Sequence, residues 1–395
     1  MPHTRRHWMP ALALALAAAL ALVPAAAGAG PLYLGADLSY VNEMEDCGVQ
    51  YREHGAVQDP FVLFHAHGAN LVRVRLWNDA RWTRYSDLSD VKKTIRRARA
   101  QGMQVLLDFH YSDDWADGEK QLIPKAWAAI TDQDELARTL YGYTYDTLSA
   151  LDRAGLMPEL VQVGNESNSD LMDRQPWDKR RPIDWARNAT LLRAGIQAVR
   201  DAGARSAIKP KVMLHIAQPE NVEPWFAAAS KAGVRDFDFI GISYYRKWSS
   251  ESMDELGATI KRLRQRYRAD VMVVETAYPW TLASGDTSHN LLGEDSLIAG
   301  YPATPQGQLD YLVDLTQLVI DNGGSGVVYW EPAWTSSSCK TRWGTGSSWE
   351  NASFFDFAHG NELLPSIGFM RHAYRPAPQA RTDAAPAPHA QDPQP

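Results

Sequence analysis

Residues 271–275 read Val271-Met272-Val273-Val274-Glu275, a short apolar run that ends in a carboxylic acid. A second run of this kind leads into Val163-Gly164-Asn165-Glu166. Continuous apolar stretches are typical of strands buried in a parallel sheet. In a barrel of parallel strands, the residues at the carboxyl ends face the functional site. The sequence therefore predicts that Glu166 and Glu275 point into one cleft.

Similar apolar runs recur along the chain and alternate with longer stretches of helical periodicity. Eight strands are predicted, at Tyr33–Leu38, Asn70–Leu76, Gln104–Phe109, Leu160–Gly164, Lys211–His215, Phe239–Ser243, Val271–Glu275 and Gly326–Trp330. Helices are predicted at Asp87–Gln101, Gln133–Ala154, Trp185–Asp201, Ser252–Arg266 and Pro305–Asn322, with Gly102, Gly203 and Gly323 as stop signals. This alternation indicates an α/β fold, and eight strands favour a single (β/α)8 TIM barrel over a doubly wound sheet.

The two ends of the chain differ from this region in composition. Residues 1–29 are predicted to be a signal peptide, because a basic start precedes an Ala/Leu run too short for a membrane span. Cleavage after Ala27 and cleavage after Ala29 fit equally well. Residues 374–395 are rich in Ala, Pro and Gln and are predicted to be a disordered tail. Residues 30–373 remain as one barrel domain, which we expect to be exported to the periplasm or outside the cell.

Charge and aromatic content restrict the partners. The chain has a formal net charge of −7 at pH 7 and no cluster of Lys and Arg among aromatic residues. Phosphates require clustered cations, so nucleic-acid and acidic-membrane partners are disfavoured. Fourteen Trp and 16 Tyr exceed what such a core needs, and flat rings in a cleft can hold the apolar faces of sugars. We expect a neutral polysaccharide substrate and a monomer without membrane contact after signal cleavage.

The chain has two cysteines, Cys47 and Cys339, which follow the first and the last predicted strand. These strands are neighbours in a closed barrel, and an exported chain meets an oxidising compartment. We therefore predict a Cys47–Cys339 disulfide, the alternative being two unpaired thiols. Their positions give no metal-site spacing.

Two carboxyl groups in one cleft are the minimum needed to break a glycosidic bond, one as proton donor and the other as nucleophile or base. Glu166 is predicted to be the general acid and Glu275 the nucleophile. Arg73 and Arg75 lie two apart in a predicted strand and share one side of it. A buried arginine would favour the charged form of a nearby carboxylate, and Arg73 is the favoured candidate. The alternative for each of these residues is a structural salt bridge inside the barrel.

Polar and aromatic residues at the other strand ends complete the predicted site. Tyr244 is predicted to donate a hydrogen bond to the nucleophile, and Trp330 to form the floor beneath the sugar. The loop after the third strand suits a sugar platform better than a metal site, because His110 has no second histidine at ligand spacing. Each residue alone could be core. The predicted substrate-binding set is Arg73, Asp108, His110, Trp115, Asn165, His215, Tyr244, Trp330 and Trp334.

Between Tyr33 and Met370 the chain resembles the family 53 glycoside hydrolases, the endo-β-1,4-galactanases. The resemblance is carried by Asp108-Phe109-His110-Tyr111-Ser112-Asp113-Asp114-Trp115-Ala116-Asp117, Gly164-Asn165-Glu166, Val273-Val274-Glu275-Thr276 and Tyr329-Trp330-Glu331-Pro332-Ala333-Trp334. It implies a retaining enzyme that cuts the β-1,4-galactan of pectin internally and requires no cofactor. Glu166 would be the acid/base and Glu275 the nucleophile, supported by Arg73, Asn165, Tyr244 and Trp330.

Some bacterial relatives bind a structural calcium, and Asp286, His289 and Asn290 are similar to part of that site. Gly118 stands where a proline is common in the family. Two alternatives remain open: another retaining β-glycanase of the same barrel, such as a mannanase or cellulase, and a sugar-binding barrel without catalysis. For a retaining enzyme we expect the two carboxyl groups to lie roughly 5–5.5 Å apart.

Overall fold

The computed structural model describes residues 31–175, 178, 181–342 and 344–377. The chain divides into a unit at Met1–Pro31 and a second unit that begins at Leu32. Every element below belongs to the second unit. The predicted signal peptide and residues 378–395 of the predicted tail lie outside the described residues, while residues 374–377 form neither helix nor strand.

Eight parallel strands close into a barrel, which confirms the predicted fold. They are β1 (Tyr33–Asp37), β2 (Leu71–Leu76), β3 (Gln104–Phe109), β4 (Leu160–Val163), β5 (Lys211–Ala217), β6 (Phe239–Ser243), β7 (Asp270–Glu275) and β8 (Gly326–Tyr329). Each strand pairs with its neighbours in sequence, and β1 closes the barrel by pairing with β8, with Tyr33 opposite Gly326. The ends of the predicted strands are correct to within two residues.

Helices connect these strands. They are α1 (Val41–Asp46), α2 (Pro60–Ala66), α3 (Leu88–Ala100), α4 (Gln133–Asp152), α5 (Trp185–Arg205), α6 (Pro219–Lys231), α7 (Met253–Tyr267) and α8 (Pro305–Asp321). Gly102 and Gly323 follow their helices with positive φ, as stop signals do. The prediction for Gly203 is wrong: it lies inside α5, where a β-carbon would meet Pro210 Cδ at 2.7 Å. Close packing therefore explains this glycine.

The core has two parts. A small cluster fills the amino-terminal half of the barrel and includes Leu71, Leu106, Leu160 and Met272. A larger cluster lies mainly between the strands and the helices. None of the described helices is long and apolar enough to cross a bilayer.

Segments after β1 and β8 join at the mouth of the barrel. Residues Tyr51–Glu53 and Ala56–Gln58 form one sheet with Phe355–Asp356 and Glu362–Leu363. Cys47 and Cys339 form a disulfide with a Cα–Cα distance of 5.4 Å, which confirms that prediction. The two ends of the barrel domain are thus linked covalently and by a sheet.

Candidate active site

The structure brings Glu166 and Glu275 together. Glu275 is the last residue of β7, and Glu166 follows β4 after a turn in which Gly164 has a φ of +84°. One carboxylate oxygen of each glutamate and a ring nitrogen of His215 lie within 4.8 Å of one another. The same trio could geometrically hold a metal ion. Arg73 already supplies a positive charge to Glu275, however, and this disfavours an added cation.

Arg73 is the centre of a buried charge network beneath the two glutamates. Its guanidinium lies 2.7 Å from Glu275 Oε1, 3.0 Å from Asp37 Oδ2 and 2.8 Å from Asp108 Oδ2. It also donates a hydrogen bond of 2.7 Å to Asn165 Oδ1. The three carboxylates raise the pKa of Arg73 against the opposing effect of burial. The guanidinium therefore stays charged and favours the ionised form of Glu275.

Glu166 has different neighbours. Ser243 Oγ donates to its Oε1 at 2.5 Å, and the Gly118 amide donates to its Oε2 at 3.1 Å. Burial raises the pKa of Glu166 to about 7, against the lowering effect of the Ser243 and Gly118 hydrogen bonds. Burial raises the pKa of Glu275 to about 8, with the Arg73 guanidinium lowering it and the Glu166 charge raising it further. Two carboxyls in such a site share one proton over a wide pH range, and Arg73 favours placing that proton on Glu166.

The backbone of Glu166 is held in an unusual conformation, with a φ of +42°. A residue with a β-carbon pays about 1–2 kcal/mol for the left-handed region. The Gln121 side chain donates to the carbonyls of Asn165 and Glu166 at 2.7 and 3.1 Å, which stabilises this turn. No sequence signal pointed to Gln121, because it is a single amide in a loop without periodicity.

The predicted substrate-binding residues separate into two groups. Trp115, Asn165, Trp330 and Trp334 line the cleft together with both glutamates. The cleft has a volume of about 870 Å³, which is within the range of ligand sites.

The second group lies below the cleft floor, which corrects the prediction that these residues contact substrate. Arg73, Asp108, His110 and His215 are at most 2% exposed. His110 Nε2 lies 3.1 Å from Asp108 Oδ2, and His215 Nε2 lies 2.8 Å from Ser243 Oγ. Burial lowers the pKa of His215 well below its usual value, so His215 is neutral and can donate through Nε2 to Ser243. These residues support the cleft instead of lining it.

The predicted role of Tyr244 is wrong, and Tyr245 occupies that position. Tyr245 Oη donates to Glu275 Oε2 at 3.0 Å, whereas Tyr244 is buried and donates to the Glu251 carbonyl at 3.3 Å. Side chains alternate along a strand. Because Ser243 points toward Glu166, Tyr244 points away and Tyr245 points back. The sequence signal for this orientation was Ser243, a polar residue at the end of an otherwise apolar strand.

Arg75 supports the aromatic wall of the cleft. Its guanidinium lies 4.2 Å from the Tyr40 ring centroid and 4.5 Å from that of Trp115. It forms a buried ion pair of 2.5 Å with Glu331. Trp334 stacks on Tyr40 with a centroid distance of 4.1 Å. Of the two arginines, the structure therefore places Arg73 beside Glu275 and Arg75 behind the tryptophans.

The residues named for calcium lie in the loop after β7. Asp286 accepts hydrogen bonds from the amides of Ser288 and Ser347, and His289 is exposed. Asn290 Nδ2 lies 3.5 Å from Oε1 of Glu350, a fully buried residue that the sequence did not indicate. Asn290 Oδ1 and Glu350 Oε2 are buried without a hydrogen-bond partner. Together with Asp286, these oxygens are the kind of ligand that calcium takes.

Comparison with known proteins gives one consistent result. The sequence model of glycosyl hydrolase family 53 matches residues 33–370. An arabinogalactan endo-beta-1,4-galactanase of Cellvibrio japonicus (strain Ueda107) is 55% identical over 350 residues, which cover 89% of this chain and 93% of the relative. An endo-beta-1,4-galactanase of Bacillus subtilis (strain 168) is 36% identical over 382 residues, which cover 86% of this chain and 85% of the relative. The solved GH53 catalytic domain of Ignisphaera aggregans superposes with a TM-score of 0.78 at 32% identity, covering 87% of this chain and 96% of that domain.

Proposed function

This chain belongs to glycosyl hydrolase family 53, and on that premise we propose that it is an endo-β-1,4-galactanase that retains the anomeric configuration. The observation that carries the proposal is the pair of carboxylate oxygens of Glu166 and Glu275 within 4.8 Å of each other in an aromatic-lined cleft. Support for the substrate comes from the 55% identical relative named as an arabinogalactan endo-beta-1,4-galactanase.

In the first step, Glu275 attacks the anomeric carbon while Glu166 gives its proton to the leaving glycosidic oxygen. The carbon–oxygen bond to the leaving sugar breaks as a bond to the Glu275 carboxylate forms. Glu166 then removes a proton from a water molecule, whose oxygen bonds to the anomeric carbon as the bond to Glu275 breaks, and the sugar leaves with its original configuration. The close approach of one oxygen from each carboxylate, within 4.8 Å, supports this route, because an inverting enzyme holds its carboxyl groups roughly 6.5–9.5 Å apart to leave room for a water.

Cleavage inside a chain requires sugars on both sides of the carboxyl pair. The lining residues come from the loops that follow β3 to β8, including Trp115, Asn168, Trp248 and Trp334. The cleft therefore extends around both glutamates, and a chain of several sugars can lie across them. This extent supports internal cleavage over removal of one terminal sugar.

The proposal includes export, the neutral galactan of pectin as substrate, and a monomeric state. The Cys47–Cys339 disulfide supports an oxidising compartment outside the cytoplasm. The net charge of −7 fits a neutral substrate better than an acidic one. A monomer is sufficient because one chain supplies both carboxyls and the aromatic wall, and the mass of the purified protein in solution tests this point.

Hydrolysis of a panel of purified polysaccharides, with product sizing, tests the activity. We expect new reducing ends from β-1,4-galactan and mid-sized products early in the reaction, with little release from mannan or cellulose. Preferred cleavage of mannan or cellulose would favour another β-glycanase of this barrel type. Binding of galactan without new reducing ends would favour a sugar-binding barrel.

Calcium belongs to the same proposal as a structural ion and takes no part in the reaction. Asp286, Asn290 and Glu350 would hold it, because two carboxylates meet there beside buried oxygens without hydrogen-bond partners. We expect chelation to lower the unfolding temperature of the protein and added calcium to restore it. In the Glu350→Gln variant, chelation should have little further effect. An unfolding temperature that ignores both chelator and calcium would contradict calcium binding.

A further inference from the structure

The cleft has a second apolar region, which no assigned role covers. It consists of Ile183, Trp185, Pro224, Trp225 and Ala228, and we call it the α5–α6 shelf because these residues come from the start of α5 and from one face of α6. It carries no charged side chain. It lines the same cavity as Glu166 and Glu275.

The geometry of α6 gives the shelf a direction. Asn221, Pro224, Trp225 and Ala228 follow the spacing i, i+3, i+4 and i+7, so they share one face of the helix, and all four line the cleft. From residue 221 to residue 228 a helix rises about 10 Å. This face is longer than one pyranose ring, and its polar residue stands at one end with the apolar residues following.

The polar end is the one near the acid. The Gly118 amide donates to Glu166, and a β-carbon on Gly118 would lie 3.6 Å from Asn168 Cγ and 3.4 Å from Ala217 Cβ. Asn221 Nδ2 in turn donates to the Ala217 carbonyl at 3.1 Å. This series of contacts leads from Glu166 to the first turn of α6, and the shelf lies beyond it.

Trp185 is the exposed ring of the shelf and is fixed before any ligand binds. It is the first residue of α5 and is partly exposed. Its ring meets Trp225 edge-on, with centroids 5.3 Å apart and planes at 68°. Trp225 is only 5% exposed and packs against Phe226 at 4.9 Å. A rigid aromatic ring that borders a cleft and loses little entropy on binding is suited to stack on a sugar.

The uncharged amides between the shelf and Glu166 fit the same ligand. Asn168, Gln218 and Asn221 line the cleft there. Amides can both donate to and accept from hydroxyl groups, whereas an anionic or cationic sugar would require a counter-charge. Rings for the sugar faces and neutral amides for the hydroxyls are the pattern of a site for neutral sugars.

The shelf lies on the leaving-group side of the bond that is cleaved. Glu166 gives its proton to the leaving oxygen. The shelf comes from the two segments that follow β4 and β5, next to Glu166, whereas Glu275 is on β7. We propose that the α5–α6 shelf, with Trp185 as its platform, binds a galactosyl residue on the reducing-end side of the scissile bond, beyond the sugar that leaves first. This inference rests on the proposed function.

Kinetics on β-1,4-galacto-oligosaccharides of increasing length test the shelf. The full-length chain would be compared with Trp185→Ala and with Trp185→Leu, which keeps apolar bulk but removes the flat ring. For long oligosaccharides we expect kcat/KM to fall roughly two- to tenfold, and for the shortest hydrolysed ones to stay unchanged. Reducing-end labelling should show the preferred cleavage moving toward the reducing end. Tyr145→Ala, a partly exposed ring stacked on Tyr141 on α4, is the matched control.

Three results would overturn the inference. They are an equal loss at every length, cleavage that moves toward the non-reducing end, and unchanged kinetics in both Trp185 variants. The Trp185→Leu variant keeps the test decisive if Trp185→Ala does not fold. Absence of galactan hydrolysis by the unmodified chain would contradict the proposed function itself. The comparison of Trp185 variants with the unmodified chain tests only the shelf.

Discussion

The two glutamates are chemically identical side chains with different neighbours. Glu275 contacts the Arg73 guanidinium and the Tyr245 hydroxyl, whereas Glu166 accepts from the Ser243 hydroxyl and the Gly118 amide. A cation stabilises a carboxylate more strongly than neutral donors do. The environment of each residue therefore supports its proposed role, with Glu275 as the charged nucleophile and Glu166 as the protonated acid.

Replacement of either glutamate by glutamine separates these roles. We expect Glu166→Gln and Glu275→Gln each to lower kcat on galactan by roughly a thousandfold or more. A galactoside with a dinitrophenyl leaving group needs no proton to depart, so Glu166→Gln should keep a fast first step on it and Glu275→Gln should not. Steady-state and burst kinetics measure this difference. Near-normal activity on galactan in either variant would reject that residue's role.

The pH profile should report the proton on Glu166. Activity requires the protonated acid, so kcat/KM should fall as the pH rises through about 7, the raised pKa of Glu166. The Ser243 hydrogen bond favours the charged form of Glu166, so Ser243→Ala should raise this pKa and move the alkaline limb upward, by about one pH unit. Ser249→Ala is the control, because Ser249 donates to Glu220 instead. An alkaline limb that does not move, or that moves downward, would contradict this role of Ser243.

At the scale of elements, the strands were predictable and the loops were not. Continuous apolar runs define buried parallel strands, so β3 and β6 were placed without error. Helix α6 was not predicted, because it contains Pro219 and Pro224, and proline normally argues against a helix. Pro219 is the first residue of α6, where the missing amide costs least, whereas Pro224 lies inside the helix.

The same distinction holds for the site. Glu166 and Glu275 were predictable because Glu275 is the last residue of a strand and Glu166 follows the end of another by three residues. The burial of Asp108, His110 and His215 below the cleft was not predictable. Period-two alternation shows on which side of a strand a residue lies, but not how far it lies below the rim of the barrel. Gln121 reaches Glu166 from another loop, and such tertiary contacts leave no local signal.

The loop after β3 brings a backbone donor to the acid through Gly118. Gly118→Pro removes this amide hydrogen and should raise the pKa of Glu166, so the alkaline limb of kcat/KM should move upward. Gly118→Ala keeps the amide, and its β-carbon would have ordinary contact with Ala217 at 3.4 Å. We expect the profile of Gly118→Ala to match that of the unmodified chain. Equal shifts in both variants would assign the effect to the loop's shape.

At the scale of the whole molecule, closure of the barrel depends on contacts between the two ends of the barrel domain. Strand β1 pairs with β8, and the Cys47–Cys339 disulfide joins the loops that follow them across 292 residues of sequence. A cross-link that closes so long a loop removes much entropy from the unfolded chain. Both cysteines lie outside the cleft lining.

Removal of the disulfide should therefore affect stability more than catalysis. We expect the Cys47→Ser/Cys339→Ser variant to lose up to about 5 kcal/mol of unfolding free energy, seen as a lower unfolding temperature. Activity on galactan at 25 °C should stay near normal. Reductant should destabilise the unmodified protein and leave the double variant unchanged. Equal unfolding temperatures in all these samples would show that the cross-link contributes nothing.

The pairing of β1 with β8 also sets the order of events during biosynthesis. Tyr33 of β1 pairs with Gly326 of β8. The ribosome therefore adds 293 residues (326 − 33) after Tyr33 before its partner in β8 has been made. At ribosomal speeds of about 5–20 residues per second, this takes roughly 15 to 60 s. Through that interval β1 can pair with β2, but its other edge has no partner. This edge leaves the unfinished barrel open to aggregation, so we expect the yield of the protein to depend on holding chaperones more than that of a protein whose strands all pair with near neighbours in sequence.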